Sequence, residues 1–323
     1  GKHPDGANAQ AMLAATQTRD ADEEVLLDVN ALARGKDYYS VANWEVTQDN
    51  GTLAYADDIN GRRQYTIRFK DLATGKVHPE SIKGVSGDLV WADDNKTLFY
   101  IENDPETLLG VRVKAHVLGT PAAQDRLVYE EGDDSFYISI SRTRDDRFIC
   151  IGIGSTVSSE YRCAPAADPR EFAVLAKRER DVEYDADHYD GRWVIRTNAD
   201  KAPNFKLVTA PTGSTSRKDW KDWVAHRDDV FIDGFELFDG YTAIAERSDA
   251  LERIRLLKQD GEEYVKADEP AYSMGLDTNP EPDTPWLRYV YTSMTTPATT
   301  YELNVATGER RQLKQQPVIG YDP

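Results

Sequence analysis

The sequence predicts an all-β fold: a seven-bladed β-propeller with six full four-stranded blades behind an incomplete first one. Three observations predict it. Short runs rich in Val, Ile, Tyr, Thr and Leu alternate with period two, the signature of half-buried strands. Gly, Asp, Asn and Pro punctuate them at the points where tight hairpins need positive φ or side-chain-capped turns. The unit also repeats. Its second-strand position is carried by Leu53, Leu98, Phe148, Trp193, Tyr241 and Leu287, at spacings of 45, 50, 45, 48 and 46 residues. A strand-rich period of this size marks propeller blades, whereas helical solenoids would show i, i+3, i+4 stripes instead.

Taken in order, Ala9–Thr18 and Glu23–Val29 read as two strands around Arg19-Asp20-Ala21-Asp22, the second half of a blade. Residues 1–43 are therefore assigned to the incomplete first blade and a linker, and 44–315 to six blades. Before the second strands stand Asp49-Asn50-Gly51, Asp93-Asp94-Asn95, Asp145-Asp146, Asp190-Gly191 and Asp239-Gly240, with Pro282-Asp283 in the last copy. Third strands follow at Tyr65–Leu72, Arg112–Leu118, Tyr161–Ala164, Phe205–Ala210, Arg253–Lys258 and Tyr301–Val305. The chain begins GKHPDG without Met or an apolar leader, which reads as an internal starting point.

The 323 residues carry 57 acidic and 39 basic side chains, a net charge of −18. That balance disfavours nucleic acid and anionic membranes, and it suits a cationic ligand or simple solubility. No apolar run is long enough to span a bilayer. Cys150 and Cys163 could face each other if their strands form one hairpin, but in so cysteine-poor a chain reduced packing thiols are expected.

Chemistry is sparse. None of the five histidines has metal-ligand spacing, and G-x-S-x-G, P-loop and dinucleotide motifs are absent, so no catalytic residue, metal or cofactor is expected. Gly152-Ile153-Gly154-Ser155 reads as a turn. Most carboxylate pairs, such as Asp57/Asp58 and Asp133/Asp134, sit on turns and read as solvated faces rather than as a glycosidase site. Glu183, Asp185 and Asp187 differ, because they alternate with Val182, Tyr184 and Ala186 on the expected innermost strand of a blade. They form either a solvated channel wall or an acidic surface that holds cationic peptides.

Several phrases carry a resemblance. Leu108–Asp134, with His116-Val117-Leu118-Gly119-Thr120 inside it, resembles the second blade of the prolyl oligopeptidase family. Arg62–Phe69, Asp187-His188-Tyr189, Asn279-Pro280-Glu281-Pro282 and Ser293-Met294-Thr295-Thr296-Pro297 resemble its oligopeptidase B branch in particular. The resemblance runs from about Glu24 to Lys314. It implies a cytoplasmic serine peptidase in which the propeller caps an α/β-hydrolase domain, limits entry to short peptides, and serves cleavage after Arg or Lys. The catalytic Ser-Asp-His set would lie beyond residue 323, and residues 316–323 would form the hinge toward it. It also implies that Phe99, in Leu98-Phe99-Tyr100, helps line an outer substrate subsite; a blade-core aromatic is the other reading. The expected partners are thus short basic peptides and a hydrolase domain of the same polypeptide, with no nucleic acid and no membrane. A stand-alone propeller that binds a cationic peptide or protein is the alternative function.

Overall fold

The computed structural model describes residues 24–318. They form six antiparallel four-stranded blades, in agreement with the expected propeller. Blade A holds β1 (Ser40–Val46), β2 (Thr52–Asp58), β3 (Tyr65–Asp71) and the first part of β4 (Val77–Trp91). Blade B holds the rest of β4 with β5 (Thr97–Asn103), β6 (Gly110–Val117) and β7 (Arg126–Glu130). Blade C follows with β8 (Tyr137–Arg142), β9 (Phe148–Gly154), β10 (Ser159–Pro165) and β11 (Ala173–Ala176). Blade D has β12 (Tyr184–Tyr189), β13 (Arg192–Thr197), β14 (Lys206–Pro211) and β15 (Lys221–Val224). Blade E has β16 (Phe231–Phe238), β17 (Tyr241–Ser248), β18 (Leu251–Lys258) and β19 (Gly261–Tyr264). Blade F closes the series with β20 (Tyr272–Leu276), β21 (Trp286–Ser293), β22 (Thr299–Asn304) and β23 (Arg310–Gln315).

All six second-strand positions fall on second strands. These strands are covered on both faces, which is why they read as near-continuous apolar runs. In β5, Leu98 packs into the core between blades A and B, while its neighbour Phe99 packs into the core between B and C. The C–D, D–E and E–F seams have apolar clusters of their own. Burial of each large apolar side chain contributes about 1.5–3 kcal/mol, so these seams supply most of the ring's cohesion.

The turns behave as their residues dictate. Asn50, Asn95, Asp146 and Asp190 adopt φ of 57°, 57°, 57° and 50°. Side chains brace them: Thr47 Oγ1 accepts the amides of Gly51 and Thr52, and Thr143 Oγ1 accepts that of Phe148.

Three details depart from the sequence reading. The Ala9–Thr18 strand lies outside the described residues, and of Glu23–Val29 the described part is not a strand. Val29 instead opens a short helix, α1 (Val29–Ala33), because Asp28 caps it by accepting the Ala31 amide at 2.8 Å. Cys150 and Cys163 are joined in a disulfide rather than reduced. They are directly paired across β9 and β10, which brings the two sulfurs together. Finally, β4 is one strand shared by two blades. Its bend passes through Gly84, at φ +72°, and Gly87, where an added Cβ would lie 2.7 Å from that of Ala42.

Candidate functional site in the central channel

The first strand of each four-stranded sheet is an edge strand, paired on one side only. In a propeller these edges surround the central channel. β1, the latter part of β4, β8, β12, β16 and β20 are therefore the channel strands, and their polar side chains define what the channel can hold.

The expected acidic residues do reach this region, but not as one uniform row. Glu183 lies just before β12 and is engaged locally, its Oε1 accepting Asn198 Nδ2 at 3.3 Å. Asp185 is exposed yet paired with Arg196 at 2.6 Å. Asp187 is deep: its Oδ1 accepts the amides of Arg144 and His188 at 2.7 and 2.8 Å. Burial pushes the Asp187 carboxyl up to about 6, against the pull of those amides and of the Arg144 guanidinium. Asp185 and Asp187 line one cavity of about 280 Å³ with Arg142, Arg196 and Phe235, so blades C, D and E meet there.

Phe99 is not in the channel. Its side chain is fully buried and packs edge-on against Phe172, with ring centroids 5.6 Å apart. It offers no surface to a peptide, because alternation along β5 turns it into the core between blades.

The sequence reading missed several charged groups. Glu45 on β1, Asp88 on β4 and Glu236 on β16 extend the acidic character to blades A, B and E, and burial raises all three carboxyls. Glu236 is pushed up to about 7, and its Oε2 has no hydrogen-bond partner. Opposing them are Arg142, Arg144 and Arg196. Arg142 donates to Trp91 O at 2.8 Å and to Asp93 at 2.6 Å, tying blade C to blade B. The Arg142-x-Arg144 spacing beside Asp145-Asp146 was the available signal, but it reads as ordinary turn composition.

The channel therefore combines the carboxyl groups of Glu45, Asp88, Asp185, Asp187 and Glu236 with three guanidinium groups, a polar and acid-leaning lumen. Such a surface can hold a cationic peptide by charge and hydrogen bonding. Among the described residues no group of three or more His, Cys, Asp or Glu side chains could hold a metal ion, and no helix is long and apolar enough to cross a membrane.

The phrase Ser293–Pro297 forms the β21–β22 turn. The Glu269 carboxylate organises it, accepting Tyr291 Oη at 2.6 Å and Ser293 Oγ at 2.7 Å together with the hydroxyls of Thr295 and Thr296. Those donors hold Glu269 down at about 2. Met294 stands at the tip, 97% exposed.

Comparison with known proteins agrees with this architecture. The profile of the "Prolyl oligopeptidase, N-terminal beta-propeller domain" matches residues 2–316. The chain is 69% identical to dipeptidyl aminopeptidase BI of Pseudoxanthomonas mexicana, over 98% of its own length and 44% of that protein. It is 33% identical to protease 2 of Moraxella lacunata, over 94% of its length and 44% of the relative. Among solved structures, oligopeptidase B from Leishmania major superposes with a TM-score of 0.87 at 28% identity, covering 95% of this chain and 45% of that one. The chain thus spans less than half the length of these relatives. It belongs to the prolyl oligopeptidase family, as the N-terminal β-propeller of that family's peptidases.

Proposed function

We propose that this chain is the substrate-gating, size-excluding propeller of a serine oligopeptidase, with the catalytic set in an α/β-hydrolase domain outside residues 1–323. The observation that carries this reading is a set of six described blades whose inner edge strands carry polar, acid-leaning side chains, in a chain matching less than half of each longer peptidase relative. A ring of this kind passes short, extended peptides and excludes folded ones. Its acid-leaning lumen raises the local concentration of cationic peptides, an effect that fades as salt shortens the Debye length to about 8–10 Å.

Two specificities are consistent with that lumen. The likeness to oligopeptidase B supports cleavage after Arg or Lys. Removal of N-terminal dipeptides is favoured by the 69% identity to a dipeptidyl aminopeptidase, and a free α-ammonium group is also a cation. The Cys150–Cys163 bond favours an oxidising compartment over the expected cytoplasm.

The test uses the full-length parent and two Arg-containing chromogenic peptides, one with a free N-terminus and one blocked. Cleavage of both supports endopeptidase action after Arg, and cleavage of the free one alone supports dipeptide release. The 323-residue chain by itself should cleave neither. Turnover by the purified chain that a serine-directed inhibitor abolishes would overturn the assignment. A stop codon directly after Pro323 in the gene would favour the stand-alone binding scaffold.

A further inference from the structure

One residue crosses the channel. Arg144 sits in the β8–β9 turn of blade C, at the mouth where the edge strands end. Its amide is held by Asp187 of blade D at 2.7 Å. Its side chain continues past blade D, and Nε donates to Leu237 O of β16 at 2.8 Å. Nη1 donates to Asn279 O and Nη2 to Glu281 O at 3.4 Å, both in the loop that follows β20 of blade F. The guanidinium also lies 4.8 Å from the Phe238 ring centroid.

Blade D stands between Arg144 and these acceptors, so the route has to run on the inner side of the ring. Blades C and F are three steps apart, and in a ring of seven no two blades are farther apart. A planar guanidinium with five fixed donors can hold three carbonyls from two blades at once, over a wider fork than the three donors of one ammonium nitrogen span.

We propose that Arg144 is a bar across this mouth of the channel, the element of the size filter that stops a long peptide from threading the propeller from that side. The inference rests on the gating function proposed above and assigns one part of it to a residue. Because the bar is bonded to backbone carbonyls, its hydrogen bonds do not depend on the side chains of blades E and F. Asp187 acts as a positioning residue, fixing the turn from which the bar projects. Other ties at the same mouth keep the acceptors in place: Asp239 N donates to Pro282 O at 2.9 Å, and Tyr189 Oη donates to Asp239.

The experiment compares the full-length parent with its Arg144→Ala and Arg144→Lys variants. Two substrates share one cleavage sequence, a short chromogenic peptide and a long unstructured one. Arg144→Ala is expected to raise the long-to-short ratio of kcat/KM about fivefold, with the short substrate nearly unchanged and Arg144→Lys in between. An unchanged ratio in a folded Ala variant overturns the bar, and so does a parallel fall on both substrates, which would mark a purely structural role. If the wild-type parent cuts neither peptide, the proposed function fails separately. A crystal structure of the 323-residue chain then decides the bar: a guanidinium seated on the three carbonyls supports it, and one turned to solvent overturns it.

Discussion

Glu236 allows a quantitative test of the channel's electrostatics. Its carboxyl titrates near 7 in the folded chain against 4.5 for an ordinary glutamate, because burial outweighs the attraction of Arg144. Between those two values the folded chain retains a proton that the unfolded chain has released. The stabilising contribution is therefore complete below pH 4.5 and is lost as pH rises through 7. The full gap corresponds to about 3 kcal/mol, and solvent reaching this half-buried side chain reduces it to about 1–2 kcal/mol. Glu236→Gln fixes the neutral form with almost the same shape. The Tm of both chains, followed by tryptophan fluorescence from pH 4.5 to 8, should coincide at the acidic end. By pH 8 the Gln chain should be about 1.5–3 °C more stable, from the unfolding entropy of a chain this long. Asp187, raised to about 6, titrates in both chains, and its repulsion of an ionised Glu236 adds to the gap in the same direction. A gap that does not change with pH, or one that favours Glu at pH 8, would refute the reasoning.

Three further outcomes are expected. Glu246→Ala should destabilise blade E by about 3–5 kcal/mol in urea unfolding, because Glu246 accepts from Arg227 at 2.6 Å, Arg255 Nε at 2.8 Å and Tyr264 at 2.9 Å. A loss below 1 kcal/mol would show that solvent takes over these cations. Gly87→Ala should cost about 1–3 kcal/mol by overpacking against Ala42, and an unchanged Tm would mean that β4 moves to make room. Maleimide labelling of the denatured chain should find no free thiol until a reductant is added, since Cys150 and Cys163 are bonded to each other. Two labelled cysteines without reductant would contradict the bond.

The blade repeat was legible because its causes are local. Strand alternation and turn chemistry recur within each copy, so Leu53, Leu98 and the other second-strand positions could be placed from spacing alone. The resemblance phrases were legible for a different reason: Ser293–Pro297 is a contiguous turn, kept together by one carboxylate, Glu269, 24 residues before Ser293. What escaped is what depends on distance across the ring. Arg144 bonds to residues 93, 135 and 137 positions away, and nothing in its own turn signals that reach. Phe99 and Leu98 look alike in sequence, and only the ring shows that each is buried on its own side of the strand. The cysteine pairing was foreseen as a possible facing pair. The bond was not, since composition argued for reduced thiols and the register decided otherwise.

The shared strand β4 has a mechanical consequence. Between other blades the seams are held by side chains and isolated backbone bonds such as Asp239 N to Pro282 O, which can slide or exchange partners under load. Blades A and B are instead one seven-stranded plate threaded by a single backbone, so pulling them apart strains covalent bonds and the hydrogen-bonded ladders on both sides of the bend. Any breathing of the ring must then be taken up elsewhere, at seams such as B–C and D–E. The plate serves as a fixed anvil against which the remaining blades flex.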